Sequence, residues 1–506
     1  MSNAEDLNLQ GDISCNNLTV RGLFENSGPV SPPFPPGGPI EITIYARATG
    51  SDTLGAGTFA KPYRTFQRAI RDVPSVIPAG YVYTVDITGI GVEVLPPDYE
   101  IPAIFAPSSF QLSDEIGGSV PFPFGYGASF NIRAFPQPAT NIPLADTSVP
   151  AADVIAFAQD PYSNLVTIQV APPRASWAAN AVAGKFLLVE GSGFSSCAIQ
   201  GSDATHLVVA LDYPVPGAAL GIAECSATLQ TSVSAPSGTP SGLAVLNSPQ
   251  VAYQGLKLTS TTGDLSLRHS GGSQPIMSLC DVDGLSTLWV ASNFWCAASV
   301  IRNYVSFDGA AFTSLQCLNL NCFVFNAGSA GNVWYSTIND GCASMGSVPT
   351  YTVAGAGYPP CGWELVDCWF TNVIDTAGKN AGAIWGNGGG AFSLENVRID
   401  APLGVAILSE GSAYMLLQNV GGTSLDPSVR VEDGSQVRVL DDATDIANAG
   451  GFGMQVGTLP ARTWADFRGV PPIKNQFDVL SPPVGDEVTG VGSGGTSGSR
   501  LFQRPA

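Results

Sequence analysis

A chain of 506 residues with 58 glycines, 39 prolines and only 12% charged residues is too long for one compact core and short of material for solvated amphipathic helices. It therefore reads as an all-β protein that grows along one axis. Its 21 basic residues against 41 acidic ones give a net charge of -20, which repels a phosphate backbone and excludes nucleic acid as a partner. With His206 and His269 as the whole histidine complement, a histidine metal site or a Ser-His-Asp triad has little to stand on, and neither cofactor nor metal is expected.

The first residues, Met1 to Asp6, have neither a basic n-region nor an apolar h-region, so no secretory signal is expected. No run of about 18 apolar residues suggests a membrane span. Residues 1–27 alternate apolar and polar positions (Leu7, Leu9, Ile13, Leu18, Val20), as half-exposed strands do, but are too few to bury a core alone. They read as an attachment or assembly segment that finds cover on another chain. Residues 28–39 repeat proline, which fixes φ and removes amide donors, and read as an extended linker.

Residues 40–156 open with a strand through Ile42 and Ile44 and a Gly-rich loop. Phe66, Ala69, Ile70 and Val73 follow at helical spacing, and Tyr81, Tyr83, Val85 and Ile87 then alternate as a strand. Within 157–227 the texture changes. The runs 165–170, 184–189, 198–200 and 206–211, separated by Gly, Pro and Ser, suggest a small β-barrel or sandwich inserted from the side, with further coils as the alternative.

In residues 228–450 an apolar residue, any residue, Asp or Asn, then an apolar residue recurs. It is seen at Leu279 to Val282, Ile301 to Tyr304, Leu365 to Cys368, Leu394 to Val397 and Leu417 to Val420. Steps of 22, 29 and 23 residues between the Asp or Asn positions match one coil each, and the 64 residues from Asn303 to Asp367 match three, with strands expected near Asn321 and Asn339. In residues 451–506, Trp464 and Phe467 could cover the last coil, and a Gly/Ser-rich tail follows.

The order of strand, Gly-rich loop, short amphipathic helix and strand, followed by the recurring coils, resembles pectate-lyase-like parallel β-helices of phage and secreted proteins. The resemblance covers roughly residues 40 to 450. It implies an all-β, right-handed parallel β-helix with a short N-terminal capping helix and a laterally inserted β-module. It further implies a virion-associated surface protein similar to phage tailspike or head-fibre proteins, located on the virion surface or outside the cell. Such a protein would be a homotrimer, held to other virion proteins through its N-terminal segment and presented to host-surface polysaccharide. The rival is a polysaccharide depolymerase, a lyase or glycoside hydrolase, working with carboxylates on the shaft.

No residue is committed to catalysis. Asp281 and Asp283, two apart on a strand and so on one face, are the first candidates, because β-helix enzymes use carboxylates as acid and base or as calcium ligands. Glu364 with Asp367, Asp340, and Glu395 with Asp400 are secondary, since their spacing depends on a coil register that periodicity does not fix. Each has an ordinary alternative as a turn residue or solvated face. The loop after Trp385, Asn387 to Gly390, could touch sugar. The ten cysteines (15, 197, 225, 280, 296, 317, 322, 342, 361, 368) show no CxxC spacing, leaving a disulfide staple or small buried thiols, with the thiols favoured.

Overall fold

The structure is a computed structural model that describes residues 40 to 503 apart from intervening segments, the longest of which are 105–128, 232–242, 346–361 and 372–383. The segment 1–27, the linker 28–39, the loop 387–390 and Cys15, Cys322, Cys342 and Cys361 lie outside the described residues.

The shaft is a parallel β-helix. Each coil lays two strands into a 24-stranded sheet and one into a 12-stranded sheet. One coil runs Val251–Gln254, Leu256–Ser260 and Leu267–Ser270, and the next Ile276–Ser278, Asp281–Asp283 and Leu285–Thr287. Each strand pairs in parallel with its counterpart one coil away. Register places Ile44, Val85, Ile132, Tyr253, Met277 and Cys296 in one inward column, continued farther on by Leu365, Leu394 and Leu417. All are buried, and each fully buried large side chain of this kind contributes about 1.5–3 kcal/mol.

The two halves of the wide sheet meet at a bend of one residue. Gly255, Leu279, Ala298, Gln316, Asp367, Asn396 and Asn419 occupy it, all with φ between 48° and 67°. Glycine adopts this conformation freely and Asn or Asp at modest cost, whereas Leu279, Ala298 and Gln316 pay about 1–2 kcal/mol each. Pairing of the strands on both sides holds them there. In three successive coils the bend side chains form a ladder: Asn419 Nδ2 donates to Asn396 Oδ1 at 2.9 Å, and Asn396 Nδ2 to Asp367 Oδ1 at 3.0 Å.

Immediately after the bend, Leu256, Cys280, Ser299, Cys317, Thr337, Cys368, Val397 and Val420 form a buried column. Its polar members are satisfied by the backbone and by one another. Cys280, Cys317 and Cys368 donate to the carbonyls of Ser278, Leu315 and Val366, and Thr337 Oγ1 donates to Cys368 Sγ at 3.3 Å. Farther inside, Asn319 Nδ2 donates to Asn339 Oδ1 at 2.7 Å and Asn339 Nδ2 to Thr337 Oγ1 at 2.9 Å. A fully buried amide pair without these bonds would cost several kcal/mol. All six described cysteines are free, and burial pushes the Cys280 and Cys368 thiols up to about 12.

The recurrent motif mixes two kinds of position. The steps of 29 and 23 residues, Asp367 to Asn396 to Asn419, are true coils, but the step of 22 is not. Asp281 lies in a strand and pairs with Val300, so that coil is 19 residues long, and Leu279 holds its bend. Asn303 stands at the next corner, in the place Gly284 holds one coil earlier, both with positive φ. Asn339 lies in the strand Ile338–Asp340, and Asn321 is outside the described residues.

The capping helix, Phe66–Ile70, buries Phe66, Ala69 and Ile70 against the first coils, with Val73 just beyond it. Its first-turn amides are satisfied: Thr65 Oγ1 accepts from Arg68 N at 3.1 Å, and Glu93 accepts from Phe66 N at 2.6 Å and Gln67 N at 3.3 Å. The two-acceptor arrangement explains why five residues suffice for a helix that would not persist alone.

The inserted module is one antiparallel sheet running from Gln137–Pro138 to Leu220–Glu224, curled over its own core of Trp177, Ile168, Leu187, Ile199, Leu207 and neighbours. It begins upstream of the change of texture at Phe157, because its first strands, Gln137–Pro138 and Ser148–Val149, are two residues long and leave no periodicity to read. Near the C-terminus, Trp464–Asp466 adds a further parallel strand, and Glu487–Gly490 pairs antiparallel with Arg500–Gln503.

Candidate functional site

The two halves of the wide sheet turn different outward faces to the surroundings. On the half after the bend, successive coils align Lys257, Asp281, Val300, Leu318, Ile338, Trp369, Arg398 and Gly421. The middle three are apolar, and the module covers them with Phe186, Ala198 and Ala210. Charge closes both ends of this contact. Asp281 sits between Arg302 Nε at 3.0 Å and Lys257 Nζ at 3.3 Å. At the far end Arg398 pairs with Asp160 at the tip of the module and with Asp400 at 2.8 Å, and Trp369 Nε1 donates to Asp400 at 2.8 Å. The ladder ends there too: Asn419 Nδ2 donates to the carbonyl of Pro161 at 3.1 Å. Gly421 lets the Tyr162 ring lie on the strand, where a Cβ would come within 2.5 Å of it.

Among the described residues, no part of the module packs on the half before the bend. Its outward positions include Trp295, 37% exposed, the buried Thr313 beside it, and farther along the same column Glu364, Ser393 and Leu416. The adjacent outward column carries Tyr335, Val366, Glu395 and Gln418. Glu364, Ser393, Glu395 and Gln418 are exposed. Glu364 lies opposite Ser393, and Glu395 is two residues farther along Ser393's strand. Neighbouring strands about 4.8 Å apart and two residues rising about 6.6 Å separate the two backbones by about 8 Å on one face. Neither carboxylate makes an ion pair among the described residues.

Register thus joins two acids that the sequence had associated with other partners. Glu395 is not joined with Asp400, which is committed to Arg398, Trp369 and Thr423. Glu364 is not joined with Asp367, which occupies the bend and accepts from Asn396. Asp281 and Asp283 do share a face, but the first is bracketed by two cations and the second accepts from Asn303 Nδ2 at 2.7 Å. The Asp340 side chain lies outside the described residues. Among the described residues no cluster of three metal-ligating side chains is present, and no helix is long and apolar enough to cross a membrane.

No family model matches the chain, and neither does any curated protein. Among solved structures it is similar to a tailspike protein of Pseudomonas phage LKA1, at 10% identity over 83% of this chain and 77% of that one, with a TM-score of 0.29. It is similar to a tailspike of Acinetobacter baumannii bacteriophage AP22, solved with an A. baumannii capsular saccharide, at 11% identity over 81% and 74% with a TM-score of 0.25. A protein described as a glycoside hydrolase matches at 11% identity over 82% of this chain and 96% of its own, with a TM-score of 0.25. No residue of the site is carried over from them.

Proposed function

We propose that the chain is a virion-surface spike or fibre protein whose shaft binds host-surface glycan on the open half of the wide sheet. The carrying observation is the contrast between neighbouring faces. One is apolar and covered by the protein's own module, while the other exposes Glu364, Glu395 and Gln418 on three consecutive coils and Trp295 three coils before Glu364. An exposed indole can stack on a sugar ring, and carboxylates and amides accept and donate to hydroxyls. In this proposal residues 1–27 attach the protein to the particle, and three shafts pack together as a homotrimer. Light scattering of the purified chain tests the trimer, and titration with bacterial surface oligosaccharides tests the face. Binding that falls with Trp295→Ala and with Glu364→Gln supports it, and binding indifferent to both would sink it.

The second reading, a polysaccharide hydrolase, is favoured by the Glu364 and Glu395 geometry. A backbone separation of about 8 Å suits the 6.5–9.5 Å between carboxyls of an inverting glycosidase, in which one acid protonates the leaving oxygen and the other activates water. Asp281 and Asp283 are the competing pair under this reading. A reducing-end assay on the same oligosaccharides separates the pairs: loss of product with Glu364→Gln and Glu395→Gln assigns the open face, and loss with Asp283→Asn alone would assign the other.

A further inference from the structure

The module is a brace at one end only. Phe186, Ala198 and Ala210 press on the shaft, while the strands that carry Ala198 and Ala210, Ser196–Ser202 and His206–Ala210, continue to a turn at their other end. The span from His206 to Ala210 places that turn about 13 Å from the contact. A cavity of about 270 Å³ lies there, lined by Asn180, Gln200, Ser202, Asp203, His206 and Val208 among others.

Two of its polar side chains, Asn180 and His206, are held before any ligand arrives. Asn180, at φ 61°, accepts through Oδ1 from Ser202 N at 2.9 Å. Gly201 permits this approach, since a Cβ there would meet that oxygen at 3.3 Å. His206 Nδ1 lies 3.0 Å from Asp203 Oδ2 and 2.9 Å from Thr205 Oγ1, which fixes the ring that lines the cavity. The Thr205 backbone amide, with help from the Thr205 hydroxyl and from His206, lowers the Asp203 carboxyl to about 2. Among the described residues, Asn180 Nδ2, the Gln200 amide and His206 Nε2 make no hydrogen bond.

We infer that this end of the module is a binding pocket for one neutral sugar unit, separate from the open face of the shaft. Two amides and an imidazole nitrogen supply both donors and acceptors for adjacent hydroxyls, and Val208 supplies an apolar wall for the C–H face of the ring. Its short lining, seven residues from one end of the module, reaches one sugar ring rather than an extended chain. No lysine or arginine lines the pocket while the Asp203 carboxylate does, so a uronic acid is repelled. The inference rests on the glycan reading above only in expecting that the molecule meets sugars.

The test is saturation-transfer NMR and titration of the full chain with methyl glycosides of glucose, galactose, mannose, N-acetylglucosamine and glucuronic acid. At least one neutral glycoside is expected to bind. Gln200→Ala and His206→Ala should each weaken it about three- to tenfold, the value of one neutral hydrogen bond. Val208→Trp, which fills the pocket from a partly exposed position, should abolish it, while Lys61→Ala, on an exposed turn of the first coils, leaves it unchanged. No binding of any neutral glycoside, or tighter binding of the glucuronide, would overturn the inference. So would loss with Glu364→Gln but not with His206→Ala, and that result would leave the shaft reading standing.

Discussion

The covered and open halves of the wide sheet share one backbone plan and differ in the residues they turn outward. Where the module rests, the outward column reads Val300, Leu318, Ile338, with charges only at its ends. On the other half, which the module does not touch among the described residues, the outward column includes Trp295, Thr313, Glu364, Ser393 and Leu416. A solenoid needs apolar side chains only on its inward face, so outward chemistry reports what each face meets: a protein surface on one side, a polar ligand or solvent on the other.

The largest effect should come from charging the covered face. Leu318→Asp places a carboxylate where Phe186, Ala198 and Ala210 leave it no partner, at a cost of about 3–5 kcal/mol. Thermal unfolding should show a large drop, and limited proteolysis should release the module. A serine at a solvated position such as Gln418 should do neither.

Alkaline pH acts through the thiols behind the bend. Cys280 and Cys368 titrate near 12 in the folded chain against an ordinary value of 9. The unfolded chain therefore loses protons first as pH rises. The stability owed to the neutral thiols is intact below pH 9 and falls by about 1.4 kcal/mol per pH unit for each thiol from there to about 12. Chemical denaturation between pH 7 and 11 measures it, and Cys368→Ser should flatten the slope. An intermediate effect is expected of Gly421→Ala, whose Cβ would push Tyr162 off the shaft at about 1–3 kcal/mol. The smallest is expected at Glu364 and Glu395, where substitution by Gln should change stability by no more than about 0.5 kcal/mol.

The solenoid was legible because three late coils place Asp367, Asn396 and Asn419 at the bend, where their side chains make a visible ladder. Earlier coils fill the same bend with Gly255, Leu279, Ala298 and Gln316, so no residue type marks them. Their lengths also shift, with bends at 255, 279, 298 and 316. That is why the 22-residue step from Asp281 to Asn303 does not measure a coil. It is also why the Glu364 and Glu395 pairing, which depends on register across coils, could not be read. The capping helix was legible from apolar spacing alone, but its Glu93 cap was not, because that residue comes from a strand one coil later. The module showed in its longer strands. Its pocket did not, since Asn180 and His206 meet only once the sheet has curled.

The most direct measurement is the affinity of the full chain for bacterial surface oligosaccharides, compared with the Glu364→Gln/Glu395→Gln double variant and with Trp295→Ala. The open-face account predicts at least about a tenfold loss in both variants with an unchanged unfolding temperature. Affinity that survives in both would contradict it and move the function to another surface of the molecule.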